Sequence, residues 1–172
     1  ITVMWRTTYL LNLRTVDWED NPLTEAIVYM NDGTQHSKTV GNQGWANWTG
    51  ISAEIVDVNA TWYGYTVNST FQITMGADRT VNVTCRCYPL ILDSTRYWIA
   101  GNATVASYSW SDVTKKFFIT FSGAVANYTL KSSVNIQPTY ILNCTYDIDT
   151  AYTTYLTLPH YGNQTITIAY PN

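Results

Sequence analysis

Charge is scarce in this sequence. Only 12 % of its 172 residues are Asp, Glu, Lys or Arg, against an ordinary share of about 25 %. Twelve acids and nine bases leave a net charge of −3, and no basic cluster exceeds Lys115-Lys116. That excludes a nucleic-acid partner, because a phosphate backbone demands grouped Lys and Arg. Long apolar runs are missing as well. None approaches the roughly 20 residues of a membrane span, and no charged-then-apolar leader opens the chain, which is expected to be mature. Histidine occurs only at His36 and His160, without metal-helix spacing, and the nucleophile elbow, phosphate loop and dinucleotide fingerprint are absent. No enzymatic activity and no metal are expected.

What replaces charge is a polar, uncharged vocabulary: 27 Thr, 10 Ser, 14 Asn and 14 Tyr. With 46 % hydrophobic and 15 % aromatic residues, the chain has ample apolar area to order itself, and its length can hide roughly two-thirds of the unfolded surface. Few ionisable groups leave little charge to gain or lose with pH. That suits a hot or acidic exterior, or a glycoprotein whose solubility rests on sugars.

Sugars are indicated directly. Eight asparagines begin Asn-x-Thr: Asn47, Asn59, Asn68, Asn82, Asn102, Asn127, Asn143 and Asn163. Chance in a chain this rich in Ser and Thr gives about three such patterns. The excess predicts N-glycosylation and an extracellular, cell-surface location, with covalent N-linked glycans in place of any cofactor.

Two-residue alternation recurs almost throughout, and turn residues at Asp20-Pro22, Asn31-Gly33, Gly76-Asp78, Ser122-Gly123 and Pro159-Gly162 punctuate it. Many short strands predict an all-β, antiparallel sandwich or barrel. The expected organisation is an N-terminal arm over 1–16 and one head domain over 17–172. Residues 31–50 read as a long loop. In 79–88, Val81, Val83, Cys85 and Cys87 share one face against Asn82, Thr84 and Arg86. In 138–147, Tyr140, Leu142, Cys144 and Tyr146 are expected to face inward, opposite Ile141 and Asn143. Asn59 and Asn68 are nine positions apart, an odd spacing that puts them on opposite faces of a continuous strand. A bend at Tyr63-Gly64-Tyr65 would restore both to solvent.

Three cysteines in an oxidising exterior suggest one bridge, Cys87 to Cys144 or Cys85 to Cys144, with a Cys85–Cys87 bridge requiring local distortion. The thiol left over is expected to be buried and inert. Asp17-Trp18-Glu19-Asp20 and Asp147-Ile148-Asp149 offer carboxylates for calcium or glycosidase chemistry, but neither has the ligand count of a calcium loop, and solvated turns are the expectation. Trp45 and Trp48, flanking Asn47, suit a carbohydrate platform, a core position or glycan packing.

The segment ITVMWRTTYLLNLRT is unusual. Ile1, Val3, Trp5, Thr7, Tyr9, Leu11 and Leu13 alternate with Thr2, Met4, Arg6, Thr8, Leu10, Asn12 and Arg14, and fifteen extended residues span roughly 50 Å. The β-branched opening with Arg6 lacks the long apolar helix that begins type IV pilins and archaeal flagellins. Such a strand either pairs with its own sheet, bent by a bulge, or completes the sheet of a neighbouring subunit. A donated strand makes a head-to-tail contact that does not close, and therefore a filament.

In its strand-rich sequence, dense Asn-x-Thr, few charges and strand-like N-terminus, the whole chain resembles the thread subunits of thermoacidophilic archaea such as Sulfolobales, heavily N-glycosylated extracellular fibres. The resemblance implies an immunoglobulin-like sandwich whose groove accepts the N-terminal strand of the adjacent identical subunit. Ile1, Val3, Trp5, Tyr9, Leu11 and Leu13 would face that groove. It also implies contacts with neighbouring filaments or cell surfaces, and roles in adhesion and biofilm formation. An immunoglobulin-like binding domain of a cell-surface or viral glycoprotein is the alternative.

Overall fold

The computed structural model describes residues 7–122, 127–133, 135, 137–150, 152–158 and 164–171, and every regular element longer than an isolated bridge among them is a β-strand. The all-β expectation holds. The chain divides into two compact units, Ile1–Arg86 and Cys87–Asn172. The first described strand belongs to the first of them.

Unit 1 contains β1 (Tyr9–Val16), β2 (Ala26–Asn31), β3 (Gln35–Thr39), β4 (Trp45–Ile51), β5 (Ile55–Trp62), β6 (Tyr65–Thr74) and β7 (Arg79–Thr84). They form a three-stranded sheet in the order β4-β1-β7 and a four-stranded sheet in the order β3-β2-β5-β6. Alternation explains the core. Leu11 and Leu13 from β1, Ala46 and Trp48 from β4, Val28 and Met30 from β2, and Val56, Val58 and Trp62 from β5 are all buried. β1 pairs antiparallel with β4 but parallel with β7, with Leu11 to Val16 in register with Arg79 to Thr84. Pairing among the described strands is otherwise antiparallel.

The segment expected to be a loop, 31–50, carries β3 and β4. All five residues of β3 are exposed, so no apolar alternation announces it. The connection between them is pinned at Gly44 (φ +77°), where a Cβ would stand 2.4 Å from the Thr15 carbonyl oxygen. Only glycine fits so close an approach in the left-handed region.

The expected bend at residues 63–65 is a two-residue hairpin turn. Tyr63 and Gly64 both have positive φ, 46° and 84°, the combination that matches the twist of flanking strands. The β5–β6 register then shifts twice, around Val58 to Thr61.

Unit 2 contains β8 (Tyr88–Leu92), β9 (Thr95–Gly101), β10 (Val105–Ser111), β11 (Lys116–Phe121), β12 (Asn127–Ser132), β13 (Tyr140–Leu142), β14 (Thr145–Thr150), β15 (Thr153–Thr157) and β16 (Gln164–Ala169). Its sheets run β10-β11-β16-β13 and β14-β15-β12-β9-β8. One core joins them, including Leu90, Ile99, Phe117, Ile119, Phe121, Tyr128, Leu130, Leu156, Ile166 and Ile168. Across it Phe121 of β11 stacks on Tyr128 of β12, with centroids 4.2 Å apart and planes 11° from parallel.

The single strand expected over 138–147 is two. Asn143 takes a positive φ of 68°, and the turn it makes carries the chain from β13 in one sheet to β14 in the other. The expected faces reverse: Ile141 is buried while Leu142 and Tyr146 are exposed. An alternation rule cannot see a change of sheet.

Candidate functional site

The sequons mark a surface rather than a pocket. Asn47 in β4, Asn82 in β7, Asn102 after β9, Asn127 in β12 and Asn143 in the β13–β14 turn are exposed, Asn59 and Asn68 are half-buried, and Asn163 lies outside the described residues. Most stand at sheet margins. β4, β6 and β7 are outer strands, carrying Asn47, Asn68 and Asn82, and Asn143 joins two outer strands, β13 and β14. Asn59 and Asn127 instead occupy interior strands.

The side-chain amides differ in what they already do. Asn102 accepts through Oδ1 from the Thr129 amide at 2.9 Å, and Asn127 Oδ1 accepts from the Thr157 hydroxyl at 3.1 Å, both leaving the nitrogen out of those bonds. Asn143 donates its Nδ2 to the Thr165 carbonyl at 2.9 Å, and Asn59 donates to Thr70 Oγ1 at 3.3 Å. Asn68 is the most constrained. Its Nδ2 donates to the Thr84 carbonyl at 2.8 Å, while its Oδ1 is buried with no hydrogen-bond partner among the described residues. The bend at residues 63–65 is expected to expose both Asn59 and Asn68, yet both are half-buried, Asn68 the more constrained of the two. Asn68 faces Ala60, a fully buried residue, across the shifted β5–β6 register, and so leans toward the packed side. A buried carbonyl without a partner costs about 1–3 kcal/mol.

Of the groove-facing set, Ile1, Val3 and Trp5 lie outside the described residues. Tyr9, Leu11 and Leu13 sit in β1 between β4 and β7 of their own unit, with Leu11 and Leu13 at 0 % exposure. The strand is followed by a tightly tied turn. Asp17, fully buried, accepts through Oδ1 from the amides of Glu19 (2.8 Å) and Asn21 (3.0 Å), and both carboxylate oxygens accept from Asn21 Nδ2 at 3.2 Å. This carboxylate holds the backbone and the Asn21 side chain, and the turn expected to be solvated is anchored at its first residue. Among the described residues no three His, Cys, Asp or Glu side chains converge as metal ligands.

The expected disulfide is not formed between any of the three cysteines. Cys87 immediately precedes β8 and Cys144 immediately precedes β14, and these strands are the opposite edges of one five-stranded sheet. Four strand spacings put the edges roughly 19 Å apart, whereas a bridge needs Cα atoms within about 7 Å. Cys85 belongs to unit 1, on the other side of the division from Cys144. Burial, and secondarily the Asp17 carboxylate, pushes the Cys85 thiol up to about 12, and burial pushes Cys144 up to about 11. Neither is activated for chemistry.

Trp48 is buried in the unit 1 core, whereas Trp45 is exposed with the Arg14 guanidinium 5.5 Å from its ring centroid. The described surface includes an open cleft in unit 2 lined by Thr114, Lys116, Thr139, Tyr140 and Tyr170, with the Lys116 ammonium over the Tyr140 ring. No helix among the described residues is long and apolar enough to cross a membrane.

No protein-family model matches the chain, and no curated protein matches its sequence. Among solved structures it is similar to BcpA, the major pilin subunit of Bacillus cereus, at 10 % identity and a TM-score of 0.39, covering 94 % of this chain and 58 % of BcpA. It is also similar to a DUF3823 family protein from Parabacteroides merdae, at 10 % identity and a TM-score of 0.39, covering 93 % of this chain and 79 % of that one. The Bacillus anthracis TIE protein matches at 14 % identity and a TM-score of 0.41, covering 92 % of this chain and 32 % of that one. The chain thus spans little more than half of BcpA. Scores this low carry no role across, so function is argued from this chain's own residues.

Proposed function

We propose that this chain is a structural subunit of an extracellular, heavily N-glycosylated filament, assembled head-to-tail by strand donation, with roles in adhesion and biofilm formation. The observation that carries the reading is the set of eight Asn-x-Thr sequons spread over both units. Five of the seven described sequon asparagines are exposed. A sheet margin offers unpaired N–H and C=O groups to any passing strand. Glycans at the margins block lateral pairing and leave a chosen strand as the route to polymerisation. That strand is β1: in the assembled form the slot between β4 and β7 of one subunit receives Tyr9, Leu11 and Leu13 of the next. The contacts equal those made within one chain, so exchange needs no new surface.

A second reading, a glycosylated immunoglobulin-like binding domain, is favoured by the seating of β1 in its own sheet, which leaves unit 1 complete without a neighbour. Electron microscopy of the native material separates the two. Fibres of uniform width bearing glycopeptides at the exposed sequons are expected for the filament subunit. A glycosylated monomer at high concentration supports the binding domain, and unmodified asparagines contradict both readings.

A further inference from the structure

Asn47 differs from the other described sequon asparagines in having an aromatic residue two positions before it on its own strand. Along β4 the exposed Trp45, Asn47 and Thr49 alternate with the buried Ala46 and Trp48. Positions two apart on a strand share a face and stand roughly 7 Å from each other, so the indole lies beside the amide on which a sugar would be built. The residues two before the other described acceptors are Asp57, Thr66, Thr80, Ala100, Val125 and Ile141, none aromatic. Tyr161 stands in this position before Asn163, outside the described residues.

The indole is also held. Arg14, paired with Trp45 across the β1–β4 ladder, places its guanidinium 5.5 Å from the ring centroid and donates Nε–H to the Gln43 carbonyl at 3.2 Å. The cation is thereby fixed against the ring, and Trp45 still keeps 38 % of its surface open. Next along the ladder Asn12 lies opposite Asn47 and supplies a polar amide on the same sheet face.

We propose that Trp45 is the stacking platform for the first pyranose of a glycan on Asn47. The inference rests on the reading that Asn47 is glycosylated. A pyranose presents a face of axial C–H bonds with slight positive charge, and the indole face is the negative pole of its quadrupole, so the two attract as edges and cations attract aromatic faces. Stacking also removes the open indole surface from water. The sugar at Asn47 then becomes part of the folded packing of unit 1, while sugars on Asn82, Asn102 and Asn127 extend into solvent.

The test is a thermal double-mutant cycle on the glycosylated full chain, comparing wild type, Trp45→Ala, Asn47→Gln and the double variant. Trp45→Ala is expected to lower Tm by about 2–4 °C more with the glycan present than in the Asn47→Gln background, and Trp45→Phe to retain part of that difference. Any loss of the Arg14 contact occurs in both backgrounds and cancels. NMR of the glycoprotein should show upfield ring-current shifts of the first sugar's protons, lost in Trp45→Ala. Equal Tm shifts in both backgrounds, with the Asn47 glycopeptide occupied and sugar protons at ordinary shifts, overturn the platform alone. An unmodified Asn47 overturns the platform together with the glycosylation reading at that site.

Discussion

The two units solve the same packing problem with different groups at the sheet centre. In unit 1 the middle of the three-stranded sheet is β1, the first strand of that unit, flanked by a parallel partner and an antiparallel one. It enters the core with leucines. In unit 2 the last strand, β16, is likewise interior, but both neighbours are antiparallel, and the surrounding core is fixed by ring contacts, Phe121 on Tyr128 and Tyr108 on Phe117. Aliphatic burial is non-directional, whereas stacked rings hold a particular geometry. On the proposed function unit 1 is the half that exchanges its strand, while ring contacts hold the core of unit 2.

The largest expected effect tests rigidity. Phe121→Ala removes a fully buried ring and should destabilise unit 2 by about 3–5 kcal/mol, read as a lower urea midpoint for that half alone. A concerted loss in both halves would break the contrast. Leu13→Ala should cost unit 1 about 2–5 kcal/mol. Its effect sharpens the comparison, because a donated β1 shifts that loss from the monomer's melting to the temperature at which filaments dissociate.

Much of the strand pattern was legible in the sequence, the division into two units was not, and the reasons are specific. Val56, Val58 and Val83 follow strict alternation and lie in the core as expected, and Leu11 and Leu13, expected to face a groove, lie in the core of their own unit. β3 escaped because QHSKT is polar on both faces of an outer strand. β13 and β14 were fused because nothing in Ile141-Leu142-Asn143 shows that the chain changes sheets. The hairpin at Tyr63-Gly64 was legible from glycine, but the later register shift that turns Asn68 inward was not. The disulfide failed for a related reason: alternation orients a cysteine without saying which edge of the sheet it occupies.

Asn68 supplies the next prediction. With Nδ2 engaged by Thr84 and Oδ1 buried, it should be the least occupied described sequon in unit 1, well below Asn47 and Asn82 by glycopeptide mass spectrometry. Full occupancy there would mean that sugar is added before β6 and β7 close.

The smallest effect is in alkali. A thiol ordinarily ionises near 9.0, while Cys85 in the fold is pushed up to about 12 and Cys144 to about 11. The unfolded chain releases these protons first, so the thiols' contribution to stability is flat below about pH 9 and declines as pH rises toward 11 to 12. Urea midpoints between pH 8 and 11 should show the decline, reduced for unit 1 by Cys85→Ala and for unit 2 by Cys144→Ala. An undiminished slope in both variants would remove the thiols from the explanation.

Strand donation is tested most directly by deleting residues 1–13 and adding them back as a synthetic peptide, with assembly followed by electron microscopy and sedimentation. The full chain should form fibres. The shortened chain should remain monomeric, bind one peptide per unit 1, and lose the ability to extend fibres once capped. Fibres formed by the shortened chain, or a full chain that stays monomeric at high concentration, would contradict donation by β1.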